Sequence, residues 1–186
     1  MEAKMNASEA MGVGLVARNG VAEGCEIKGR YVVECFDKDG NAKWSDAIDN
    51  LVTTVGKNLM LDKTLAGSSW STGTVYMGLK GTGSAASGDT MSSHSGWSEL
   101  NITSSSGARQ SMSFNSASSG SKATSAAVSF SITTAGPTTV AGVFTVISGS
   151  ATNADTTGTL FSAGDFSSSR SVVSGDTLQV SYTASV

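Results

Sequence analysis

Hydrophobic and polar positions fall into short alternating runs separated by turn residues, the pattern of strands buried on one face. Tyr31–Phe36 (YVVECF) is the first run, rich in β-branched and aromatic residues. Asp37-Lys-Asp-Gly-Asn41 follows, and its Asp-Gly pair suits the positive φ of a tight hairpin turn. Asn41–Ile48 then returns as the partner strand, with Trp44 as its large apolar anchor. Over 52–66 the spacing turns helical: Val55, Leu59, Met60 and Leu65 form a partial apolar face, weakened by Gly56 and closed by Gly67 as a C-terminal cap. This short helix is expected to cover one open end of a sheet sandwich.

Residues 74–81 alternate again, with Val75, Met77 and Leu79 on one face and Thr74, Tyr76 and Lys80 on the other. After turn material at 82–90, Asp89 is placed to cap a short helical turn, and Trp97 serves as a packing anchor where the chain returns to a strand. A strand is expected over Arg109–Phe114, carrying Met112 and Phe114 on one face. Another spans 124–132, with Ala126, Val128, Phe130 and Ile132 inward. Thr138–Ser148 is apolar on both faces, so it is either a central strand or one whose second face meets another subunit. Thr159–Phe161 reads as a short strand, Gly164-Asp165 and Ser174-Gly-Asp176 as turns, and Leu178, Val180 and Tyr182 as the alternating last strand. About eight to ten strands with frequent turns predict an all-β fold, a two-sheet sandwich of jelly-roll or immunoglobulin-like character with one short helix. The domain is expected over 28–186, behind an extended, glycine-punctuated N-terminal arm over 1–27.

Composition sharpens this picture. Apolar residues make up 39 % and charged residues 15 %, with 22 glycines and a single proline, which suits short strands and polar turns. Charge is unevenly spread: of the 27 charged residues (12 basic plus 15 acidic), 18 lie in residues 1–66 and 9 in the remaining 120. So sparse a surface is solvated by hydroxyls or covered by neighbours. The net charge of -3 lacks the basic footprint of general nucleic-acid binding. No stretch approaches the roughly 18 apolar residues of a membrane span, and the N-terminus does not read as a secretory signal, so a soluble protein made in a cytoplasm is expected.

Candidate chemistry is thin. Cys25 and Cys35 are too few for a disulfide framework; Cys35, within the first strand, reads as a buried free thiol, and a Cys25–Cys35 bridge requires the preceding segment to fold back. Asp37, Asp39 and Asn41 resemble a calcium loop, but the glycine falls at the fourth position and Ile48 stands at the twelfth, so a turn explains them and no metal or cofactor is expected. His94, the single histidine, sits among Asp89, Ser92, Ser93 and Ser95. Sequence neighbours seldom converge as a triad, and the chain holds no G-x-S-x-G elbow, so a hydrogen-bonded loop histidine is expected rather than a catalytic one.

Several blocks resemble a family of structural proteins of tailed bacteriophages, among them capsid cement (decoration) proteins. They are Tyr31–Asn41 with Trp44-Ser-Asp46 and Asp49–Val52, then Val75–Leu79, Asp89–Trp97, Thr156–Leu160, Gly164–Phe166 and Ser174–Leu178. The resemblance spans roughly 29–183 and implies a small β-rich domain bound to the outside of a phage head, without catalytic residues. The function expected is therefore a non-enzymatic cement protein of the capsid exterior, a dimer or trimer that links major capsid protein subunits. In the arm, Met11, Val13, Leu15 and Val16 are the expected apolar contacts to the capsid and Arg18 the charged one. The alternative is a head-fibre or tail adhesin binding host-surface glycan, in which Ser/Thr-rich loops and Trp70, Trp97 or Tyr76 form a sugar platform.

Overall fold

The structure, a computed structural model, describes residues 26–65, 73–103 and 108–186. Ten strands and one helix are found among them: β1 (Lys28–Phe36), β2 (Ala42–Asp49), β3 (Leu51–Val52), α1 (Thr54–Leu65), β4 (Val75–Lys80), β5 (Gln110–Met112), β6 (Ser121–Ala123), β7 (Val128–Ser131), β8 (Thr138–Ile147), β9 (Thr159–Val172) and β10 (Thr177–Ser185). They build two antiparallel sheets, one ordered β2-β1-β10-β6 with β7 also paired to β10, the other ordered β3-β9-β8-β4-β5. The chain is an all-β sandwich, as the alternation predicts.

The first hairpin forms as expected. Asp37 organises its turn, its Oδ1 accepting the amides of Asp39 and Asn41, while Gly40 takes φ 83°. From β1, Tyr31, Val33 and Cys35 point inward, and from β10 Leu178, Val180 and Tyr182 meet them, all buried. Burying such side chains contributes about 1.5–3 kcal/mol each, which makes this pair of strands the spine of the core. Cys35 is a free, buried thiol. Between the sheets, the Tyr31 hydroxyl hydrogen-bonds the hydroxyls of Thr145 and Ser162 at 2.8 and 2.7 Å, so the polar atoms deepest in the core satisfy one another.

β8 is the central strand of its sheet, flanked by β9 and β4. Its two apolar faces serve two cores. Val140 and Val143 join the inter-sheet core, whereas Phe144 and Val146 point outward into a second cluster with Met91, Trp97, Leu160 and Ala163. The cover on the outer face is thus supplied by the chain's own loop through 82–100.

Four local expectations need correction. Gly164-Asp165 is not a turn: β9 runs unbroken through it. Gly164 instead lets β9 pass close over Tyr31 and Ile48, where an added Cβ would lie 2.9 Å from the Ile48 Cδ1. The irregularity follows it, as Gly142 pairs with Asp165 but Val140 pairs with Arg170, so four residues of β9 bulge out opposite one of β8. That bulge leans onto β2, where Ser167 donates from its amide and hydroxyl to Asp46 and Phe166 packs edge-on against Trp44. The 124–132 run is also divided, since β7 starts only at Val128 and Ala126 is exposed. No helical turn follows Asp89; Thr90 and Ser93 pair as a tight β-bridge instead.

The helix, finally, forms with only part of the predicted face turned inward. Thr53 Oγ1 caps it by accepting the Gly56 amide at 3.0 Å; Val55, Leu59 and Met60 of the expected face are half-buried, but Leu65 is exposed and Gly56 is the buried residue. Gly56 lies against the Phe161 carbonyl, 2.5 Å from where a Cβ would stand, so the residue that weakens the helix is the one that lets it lie close against β9.

Candidate functional site

The loop through 82–100 is pinned to the outer face of the second sheet at several points. Leu100 N–H donates to the Leu79 carbonyl and Gly81 N–H to that of Ser98, extending the end of β4. Asp89 accepts from the Trp97 indole N–H at 2.9 Å and from the Ala86 amide, fixing the ring over Phe144 at 5.2 Å between centroids. Trp97 is therefore a core residue, and Tyr76 packs against the same cluster. Neither offers an open aromatic platform; Trp70 lies outside the described residues.

His94 stacks on Trp97, ring centroids 4.2 Å apart and planes 24° apart, with Nδ1 3.2 Å from the Trp97 carbonyl oxygen. It forms one wall of a cleft of about 540 Å³. Ser92, Ser93, Ser95 and Ser98, with Asn153 and Thr156 of the 150–157 loop, line it beside the apolar surface of Met91, Trp97 and Ala154. Asn153 Oδ1 is shielded from solvent and receives no hydrogen bond from the protein.

A buried clamp joins the two walls. Arg109 grips the Glu99 carboxylate through Nε and an Nη at 2.8 Å each, a two-pronged arrangement that fixes both planes. The same guanidinium donates to the carbonyls of Asp155 and Ser150, and Glu99 also accepts the Ala154 amide at 2.9 Å. Asp155 in turn accepts from the Thr157 hydroxyl and amide and the Ser150 amide; these bonds, led by the Thr157 hydroxyl, hold its carboxyl below the ordinary carboxylate range. A second buried cation, Lys80, is paired with Asp165 and donates to the Gly83 carbonyl beneath the same loop. The cleft is consequently rigid and carries no unpaired charge among its described lining residues.

Sequence reasoning placed His94, its serines and Trp97 together but missed Asn153, Arg109 and Glu99. The sparse charge of residues 67–186 was the available signal. Lys80, Asp89, Glu99, Arg109, Asp155, Asp165, Arg170 and Asp176 all hold structural partners. Met11, Val13, Leu15, Val16 and Arg18 lie outside the described residues. No group of three His, Cys, Asp or Glu side chains able to hold a metal occurs among the described residues.

A separate hollow of about 390 Å³ opens between the sheets, lined by Ile27, Met60, Val75, Phe114, Phe161 and Tyr182 among others. The Tyr182 hydroxyl there already accepts from the Asn50 amide, which leaves little polar chemistry to orient a ligand. The His94 cleft is the better candidate site.

Fold and site together define a two-sheet β-sandwich with a surface cleft between its 91–99 and 153–156 segments. A family model described as Podophage GP4 fiber I protein gp80 matches residues 51–185, a span that takes in the whole second sheet and both walls of the cleft. The chain belongs to that family, and is accordingly a phage structural protein and a component of the virion. The sequence resemblance and the family match agree on this class, while the family description speaks of a fibre. No curated protein matches the chain.

Proposed function

We propose that this chain is a non-enzymatic fibre module of a phage particle that projects from the virion and turns its 82–100 loop face toward the host surface. The family match over 51–185 carries the reading, because it covers the loop face and describes a fibre. The architecture supports it: the loops that form the cleft are tied to the sheet by buried ion pairs, so the surface presented needs little ordering on contact. His94 is held in place by the Trp97 ring and carbonyl. A cement protein of the shell would belong to the same structural class, but the fibre description favours the projecting module. A symmetric dimer or trimer would multiply weak contacts by avidity, and the N-terminal arm with Met11, Val13, Leu15, Val16 and Arg18 is the proposed attachment to the particle.

The test is competition. Purified full-length protein should slow adsorption of the phage to host cells in a dose-dependent way, without binding emptied heads. Protein that leaves adsorption unchanged and coats emptied heads would instead establish the cement role.

A further inference from the structure

We propose that the His94 cleft binds a neutral sugar unit of a host-surface glycan, with the imidazole as the face on which the sugar ring lies. This rests on the host-engaging reading above and adds the chemical class of the ligand and the residues that receive it.

Size comes first. A volume of about 540 Å³ falls inside the roughly 300–1,000 Å³ range of small-molecule clefts and accommodates a saccharide unit. Polarity follows. Ser92, Ser93, Ser95, Ser98 and Thr156, whose hydroxyls can donate and accept, line the cleft together with apolar surface from Met91, Trp97 and Ala154, the two kinds of surface a sugar ring presents. Asn153 Oδ1, shielded and without a protein donor, is an acceptor that a rotation of its amide would offer to a ligand hydroxyl, and leaving such an atom unmet is unfavourable.

Charge then selects among sugars. Glu99 is the charged side chain among the described lining residues, and its carboxylate is consumed by Arg109 and the Ala154 amide. The cations beneath, Arg109 and Lys80, have side chains 0 % exposed and are already paired. A sialic acid, uronic acid or phosphorylated sugar would thus surrender hydration without meeting a free cation, whereas a neutral hexose or N-acetylhexosamine surrenders little. Stacking supplies the orientation. His94, half-buried and lining the cleft with its ring held on Trp97 at 4.2 Å, is a fixed plate for the C–H surface of a pyranose. The Arg109–Glu99 clamp holds both walls in advance, so binding spends little on ordering loops.

The experiment uses the full chain and two variants, His94→Ala and Thr156→Trp, the second filling the cleft from its exposed rim. Each variant is first shown to unfold at the wild-type temperature. Binding is measured on immobilised glycans, neutral hexose and N-acetylhexosamine chains beside sialylated, uronic-acid and phosphorylated ones, and on host cells. The expected result is binding of wild-type protein to neutral glycans and cells, with at least a tenfold loss in either folded variant. Should only one variant fold, its result decides. Preference for anionic glycans, or cell binding unaltered by the variants, would overturn the cleft assignment and leave the fibre reading standing. Wild-type protein that binds neither cells nor glycans would overturn both.

Discussion

The hydroxyl of Tyr31 stands between the sheets with Thr145 and Ser162 as its partners, and its ionisation is pushed far up by burial. Tyr31→Phe keeps the ring against Tyr182, 4.6 Å away, but removes the shared partner of two buried hydroxyls, leaving Thr145 with the weak acceptor Met112 Sδ. A loss of about 1–3 kcal/mol is expected, seen as a lower urea midpoint at unchanged slope. On the same strand, burial first, then the nearby Asp176 charge, pushes the Cys35 thiol up to about 11. In a Cys25→Ser background the native protein should therefore resist a thiol reagent at pH 8 and react on unfolding. Prompt reaction of folded protein would show that β1 opens locally. Asp46 makes one acid-sensitive contact. Burial alone would raise its pKa, but the Ser167 hydroxyl and amide, the Ala47 amide and Arg170 outweigh it and lower it from 3.8. A depressed carboxylate stabilises the fold above its unfolded value and loses that contribution as pH falls through the folded one. Asp46→Asn should weaken the protein at pH 7 and flatten the fall in stability below about pH 4. An acid limb as steep as wild type would place the acid sensitivity elsewhere.

Elements were legible from the chain where burial is one-sided. In β1 and β10, period-two alternation translates directly into facing and register. Legibility failed where a local signal had a tertiary use. Gly164-Asp165 carries turn chemistry, yet Gly164 is needed for close passage over Tyr31, and Asp165 for its bond to Lys80. The helix looked amphipathic, but it seats on Gly56, a residue that hydrophobic periodicity cannot weigh. The Arg109 clamp was invisible because its partners are 10 and 46 residues away in the chain. Arg109→Met leaves Glu99 buried and unpaired, and should cost about 3–5 kcal/mol. Adding Glu99→Met should recover part of that loss, since the cost lies in the stranded charge; a double mutant as unstable as the sum of both singles would contradict the clamp's pairwise character.

For the whole molecule, a two-sheet sandwich followed from strand spacing, but the folding of the 82–100 loop over the second sheet did not. The two-faced apolar pattern of β8 left an internal cover and another subunit equally open. Trp97 and Met91 decide for the internal cover, and by taking up that face they place the hydroxyl cleft above it. Of the nine charged residues beyond residue 66, Lys80, Arg109 and Asp176 are buried and paired. Imaging of the intact virion, with density assigned to this chain, is the most direct test. The account predicts the sandwich in a projecting fibre, with His94 and the 150–157 loop facing outward; a sandwich lying flat on the shell, its cleft covered by capsid subunits, would contradict it.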